Sequence, residues 1–181
     1  MIYKETLLSN GKMLILKEAE PHEAEKMINY LNVVGGESDN LLFGEGEFRF
    51  SVEQEARIIT NNLNNPNNIM LIGLIDDEMV TMSQLMTKNR ARIAHNADVS
   101  ISVRKAYWNC GIGSSVMKTL IIFANEHPLI RVVSLSVKDG NESAIHLYKK
   151  HGFEVVGRHK DYVYLNDAYH DVLLMDLYLQ K

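Results

Sequence analysis

Residues 103–124, VRKAYWNCGIGSSVMKTLIIFA, form the junction on which the fold turns. Just upstream, Val99, Ile101 and Val103 alternate with Ser100 and Ser102. That is the two-residue period of a strand with one apolar face and one small polar face. Downstream, Ile112, Val116, Leu120 and Ala124, with Met117 and Ile121 beside them, recur at helical spacing as far as Glu126. Gly111, Gly113, Ser114 and Ser115 stand between the two patterns. Such a turn has two readings. Glycine can simply permit a positive φ, or the turn can cradle an anion. The first N–H groups of a helix lack partners and carry partial positive charge, and glycine lets a ligand approach the backbone. Ser114 and Ser115 add hydroxyl donors. A Gly-x-Gly pair alone supports both readings.

Two phosphate loops are excluded by the residues present. A dinucleotide fingerprint needs a third small residue where Val116 stands, and it lacks its acidic residue further on. A Walker A loop needs Gly-Lys-Ser/Thr, whereas this turn has Gly-Ser-Ser.

Outward from the junction the order of elements is legible. MLILKEA (13–19) reads as a first strand, followed by Pro21 and a helix carrying Ala24, Met27, Ile28 and Leu31. VGGESDNLLFGEGEFRF (34–50) has no period and reads as a long glycine-rich loop, a kind often functional. Ser51 with Gln54 has capping-box spacing and opens a second helix that Pro66 stops. IMLIGLIDDEMVTMSQLMT (69–87) reads as two strands turning at Asp76–Asp77, and 91–105 as a third. After the junction helix, RVVSLSV (131–137) is a strand. Asn141 caps the next helix, Gly152 stops it, and two closing strands follow. The predicted order is βααβββαβαββ, an α/β chain with a mixed sheet, in a single domain spanning 1–181.

Composition narrows the classes. The chain has 181 residues, 46% hydrophobic and 23% charged, with a net charge of −4. That balance argues against nucleic-acid binding through bulk charge and against a basic membrane surface. No apolar run approaches the ~20 residues of a membrane span, and the N-terminus lacks a signal-peptide pattern. One cysteine cannot form an internal disulfide, so a cytoplasmic setting is expected. The seven histidines are scattered, with no His-Glu-x-x-His, so no metal site is expected.

The junction resembles the acyl-CoA-binding segment of the GNAT N-acetyltransferase superfamily, whose loop reads Arg/Gln-x-x-Gly-x-Gly/Ala. Gly111, Ile112 and Gly113 match, and Trp108 stands at the Arg/Gln position as a departure. A second segment, LSVKDGNESAIHLYKKHGFEVVG (135–157), is similar to the family's Asn-x-x-Ala-x-x-Leu-Tyr-x-x-x-Gly-Phe block through Asn141, Ala144, Leu147, Tyr148, Gly152 and Phe153. The resemblance covers the chain from about residue 12 onward. It implies the GNAT fold: a mostly antiparallel twisted sheet of about seven strands flanked by about four helices. It also implies acetyl-CoA as cosubstrate and an amine as acceptor, on a small molecule or a peptide.

The resemblance implies roles as well. The strand ending at Val103 splays from the strand near Val132, and pantetheine pairs there with Ile101, Ser102 and Val103. The Ile101 amide is the expected oxyanion donor. The backbone of Asn109, Cys110, Gly111, Ile112, Gly113, Ser114 and Ser115 holds the pyrophosphate. Tyr148 is placed near the CoA sulfur as general acid. From the residues alone, Tyr148 reads rather as an aromatic on the buried stripe, and it is the resemblance that favours the acid. Asn141 is both a pantetheine contact and a helix cap. Three side chains compete as base: Asp98, Glu37 in the glycine-rich loop, and His95. Cys110 is expected to be a bystander, since its loop belongs to the pyrophosphate. The acceptor groove is expected among residues 30–50, 82–98 and 160–170, with Tyr162, Tyr164 and Tyr169. Family members often dimerise, so a homodimer is a further expectation. A second reading keeps the fold without efficient turnover, as an acyl-CoA-binding sensor. Trp108 leaves room for it, and Tyr148 weighs against it.

Overall fold

The computed structural model describes residues 2–180. One sheet of eight strands runs in the order β1-β2-β3-β4-β5-β6-β8-β7. Its strands are β1 (Ile2–Leu7), β2 (Met13–Glu18), β3 (Ile69–Ile75), β4 (Glu78–Thr87), β5 (Asn96–Val103), β6 (Val132–Lys138), β7 (Glu154–Leu165) and β8 (Ala168–Tyr178). Among the described residues only β5 and β6 are parallel neighbours. The helices are α1 (Ala24–Glu37), α2 (Val52–Leu63), α3 (Ile112–Glu126) and α4 (Glu142–Lys150).

The count of strands exceeds the sequence expectation by one. β1, IYKETL, is an edge strand with no continuous apolar face, so its pattern is weak. It pairs with β2, and Leu8 beyond it is buried in the core. β3 is buried on both faces, which explains its unbroken apolar run. Leu71 faces the core beneath α3 and α4, while Met70 and Ile72 face that beneath α1 and α2. The β3–β4 turn places Asp76 and Asp77 at φ 50° and 63°, and the β7–β8 turn does the same with Asn166 and Asp167 at 52° and 57°. Paired positive φ values give hairpin turns whose twist suits the strands.

The glycine-rich loop begins later than the sequence suggested, because residues 34–37 form the last turn of α1. The helix absorbs two glycines there for a packing reason. A Cβ at position 35 would meet the Gly44 carbonyl oxygen at 2.5 Å, so the loop can lie directly on the helix backbone. Asn32 fastens that loop with two bonds, donating to the Phe48 carbonyl at 3.2 Å and accepting from its N–H at 3.1 Å. Three caps follow the sequence reading. Ser51 and Gln54 close a capping box, Asn141 accepts from the Ala144 N–H at 3.3 Å, and Gly152 ends α4 at φ 91°.

Candidate active site

Register along β4 and β5 decides which backbone groups are free. The Arg104 N–H donates to the Val80 carbonyl at 2.9 Å, and the Lys88 N–H to the Asn96 carbonyl at 3.0 Å. Even-numbered residues of β5 therefore turn toward β4, and the odd-numbered ones turn toward β6. β6 meets β5 only at Asn96↔Val132, Ala97↔Val133 and Asp98↔Ser134. Beyond that point β5 stays paired with β4 to Val103, while β6 stays paired with β8 to Lys138. The two strands thus part as a fork with Asp98 at its apex. Past the apex the backbone groups of Ile101 and Val103 face the gap and have no strand partner. Such groups call for one.

Ser102, grouped in the sequence reading with Ile101 and Val103, does not face the gap. Alternation along the strand turns its backbone to β4, where the Thr81 hydroxyl also donates to its carbonyl at 2.7 Å. Its own hydroxyl lies 3.0 Å from that of Tyr30, whose phenol burial pushes far above its usual pKa. The Ser102 side chain is thereby a tie between β5 and α1.

The open end of the fork leads to the glycine turn. Asn109 and Gly111 adopt φ 59° and 94°, and a Cβ added at Gly111 would meet nothing within 4 Å. The turn faces open space, so its glycine answers to backbone conformation. The Ser115 N–H donates to the Gly111 carbonyl at 3.0 Å, as the fourth residue of a helix must. The amides left for a ligand are those of Ile112, Gly113 and Ser114. Both serine hydroxyls are engaged as well, which alters the donor set expected from sequence. Ser115 Oγ lies 3.0 Å from Thr6 Oγ1 and is buried, and Ser114 Oγ lies 3.1 Å from His151 Nε2.

Cys110 is half-buried against the β1–β2 turn. Its thiol donates to the Trp108 carbonyl and accepts from Asn10 Nδ2, both at 3.4 Å. The Trp108 indole N–H donates to the Val103 carbonyl at 2.8 Å, a bond the sequence reading did not anticipate.

The three candidate bases are placed quite differently. Asp98 is exposed at the apex and forms an ion pair with Lys88. Glu37 ends α1, with one carboxylate oxygen accepting from Arg104 Nε at 2.9 Å and the other from the Lys105 N–H at 2.8 Å. It tethers α1 to the end of β5. Arg104 also reaches Glu78, which accepts from the Tyr107 hydroxyl at 2.8 Å. His95 precedes β5 at the closed end, where its carbonyl accepts from the Arg131 N–H at 2.8 Å. Only Asp98 joins the fork. A charged residue directly after an apolar strand, Arg104, was the sequence signal for the missed tether.

Tyr148 packs on the core beneath α3 with its ring 6.0 Å from that of Phe153. Burial alone pushes its phenol up to about 12. On the opposite face of the sheet, Asn166 Nδ2 donates to Asp39 at 3.3 Å, joining the β7–β8 hairpin to the loop after α1. The expected groove segments 30–50 and 160–170 therefore do meet. Tyr164 and Tyr169 stand exposed on that hairpin with rings 5.0 Å apart. A groove of about 500 Å³ is lined by Asn32, Val33, Gly36, Glu37, Glu45 and Gly46. Among the described residues no group of three or more His, Cys, Asp or Glu could hold a metal ion, and no helix is long and apolar enough to cross a membrane.

Residues 39–153 match the model of the acetyltransferase (GNAT) family. The chain is similar to L-amino acid N-acetyltransferase AaaT of Escherichia coli K12, at 32% identity over 110 residues covering 61% of this chain and 68% of that protein. It is also similar to the solved structure of a GNAT-family acetyltransferase from Streptococcus pneumoniae. There the TM-score is 0.88 at 28% identity, over 92% of this chain and 99% of that one. The structure of yncA from Salmonella typhimurium with its cofactor acetyl-CoA shares the fold, with TM-score 0.80 at 13% identity over 93% and 95% of the two chains.

Proposed function

The chain belongs to the GNAT family of acetyltransferases, and on that premise we propose that it transfers an acetyl group directly from acetyl-CoA to a primary amine of a small molecule or peptide, within a ternary complex. The observation that carries this reading is the fork. Ile101 and the Val103 N–H face an open strand edge with no strand partner, the Val103 carbonyl being held by the Trp108 indole, and that edge leads to the free amides of α3. An extended pantetheine arm with its amides can pair there as an added strand, and a pyrophosphate fits the turn. Acetyl-CoA supplies the activated carbonyl and a thiol leaving group.

The residues around the fork have distinct tasks. The Ile101 N–H is the donor for the oxyanion that develops as the amine attacks. Asp98 at the apex takes the proton that an ammonium acceptor must lose, directly or through water. Glu37 is less suited to that task, because both its oxygens already accept bonds. Tyr148 gives its proton to the departing sulfur. Asn141 caps α4 through its side-chain carbonyl, which leaves its amide group for the pantetheine arm.

Acceptor-dependent thiol release from acetyl-CoA tests the reading. The panel begins with L-amino acids, the substrate class named for the E. coli relative, and extends to polyamines and peptide N-termini. Release with at least one acceptor is expected. CoA binding without release across the panel would mark an acyl-CoA sensor instead. The Cys110→Ala variant should keep its turnover, whereas an acetyl group trapped on Cys110 would overturn direct transfer.

A further inference from the structure

Trp108 is the only tryptophan of the chain, and it replaces the Arg or Gln of the family pattern. Its indole nitrogen is solely a donor, so the 2.8 Å bond to the Val103 carbonyl fixes which edge of the ring meets β5. That carbonyl belongs to an odd-numbered residue and points toward the gap, so the indole reaches it from the gap side. The Trp108 backbone is held too. Its N–H donates to the Lys105 carbonyl at 3.2 Å, and its carbonyl accepts from the Cys110 thiol at 3.4 Å. The residue nevertheless remains 40% exposed, at the place where the strand end passes into the glycine turn.

We propose that Trp108 is a positioning residue for the cofactor arm, an inference that rests on the acetyl-CoA reading above. From within the chain, the indole satisfies the last open carbonyl of β5. It sets the path by which residues 104–111 leave the strand, and it offers its exposed face as a wall for the pantetheine arm. The arm then pairs with Ile101 and with the Val103 N–H, while the Val103 carbonyl stays with the indole. Apolar contact takes the place of the side-chain charge that Arg would bring.

A lone tryptophan at this position makes the test direct. Calorimetry and tryptophan emission are followed together as wild-type protein is titrated with CoA. A saturable change in emission with the calorimetric midpoint is expected. Trp108→Phe keeps a ring and loses the N–H, and Trp108→Ala loses both. The KM for acetyl-CoA should rise about 3–10-fold in the Phe variant, the range for one lost hydrogen bond, and further in the Ala variant. At saturating cofactor kcat should stay within about threefold, the signature of a binding loss. CoA that binds in calorimetry while emission stays unchanged would overturn the inference alone. So would a wild-type KM in Trp108→Ala. Wild-type protein that binds no CoA in calorimetry would overturn the acetyl-CoA reading itself, and this inference with it.

Discussion

On the proposed reading, Tyr148 serves packing and chemistry together. Its ring fills the core beside Phe153, and burial holds its phenol up to about 12, so it keeps its proton throughout the neutral range. A general acid must hold its proton until the leaving group needs it. Tyr148→Phe should lower kcat by about 100-fold or more while the KM for acetyl-CoA stays within about threefold. Steady-state kinetics check this, and unchanged turnover would remove the role. The same shift has a stability consequence. The folded pKa lies above the ordinary value of 10.0, so this contribution is complete below pH 10 and is lost as pH rises toward 12. Urea titrations between pH 8 and 11.5 should show that decline, with a smaller slope in Tyr148→Phe. Ser83 supplies the opposite lesson. Its hydroxyl is buried on β4 and finds no partner among the described residues, a desolvated group with nothing in return. Ser83→Ala should therefore raise the urea midpoint, by an amount corresponding to about 1 kcal/mol, and a fall in midpoint would show that the hydroxyl is bonded after all.

At the scale of elements, α1 and the fork account for most of the site. α1 brings Tyr30 to Ser102 and Glu37 to Arg104 and Lys105, so the helix grips the end of β5 at two levels. The loop from residue 38 to 50 lies on the same helix because position 35 has no Cβ. Gly35→Ala should cost about 1–3 kcal/mol through overpacking and displace this loop. Thermal denaturation and limited proteolysis within residues 38–50 would register both effects, and an unchanged Tm would mean the loop yields without cost. The sequence reading began this loop at Val34. Two adjacent glycines look like a break in a helical pattern, and only the approach of the Gly44 carbonyl to position 35 and of the Glu45 side chain to position 36 explains them inside a helix. The fork was expected from the family resemblance. Its depth was not, because the last β5–β6 pair follows from register, which alternation alone does not fix.

For the whole molecule, the two faces of the sheet divide the labour. α3 and α4 cover the face that carries the glycine turn and Tyr148, while α1 and α2 cover the face that carries Asp98 and the exposed groove. On the proposed reading, cofactor and acceptor approach the apex from opposite sides. A ligand that closes the open edge of β5 binds the folded state alone, so CoA at about 100 times its Kd should stabilise the fold by about 2.7 kcal/mol. A thermal-shift series in CoA concentration measures this, and a flat series would mean that the fork does not receive CoA.

The order of elements from β2 onward, the caps at Ser51 and Asn141, the glycine turn and the family are all legible in the sequence. Each of these is written in local spacing, since helix and strand periods, cap residues and positive-φ turns involve neighbours in the chain. It did not reveal β1, whose edge position leaves a weak pattern, nor the state of groups that meet across the fold. Long-range packing and register are what tether Glu37, engage both turn serines, turn the Ser102 backbone to β4 and close Trp108 on Val103. These are contacts between groups separated along the chain or oriented by register, and their partners are chosen by packing. Asp98 stands at the apex for the same reason. Its position depends on where two strands stop pairing, and that point is set by everything packed on either side of the sheet.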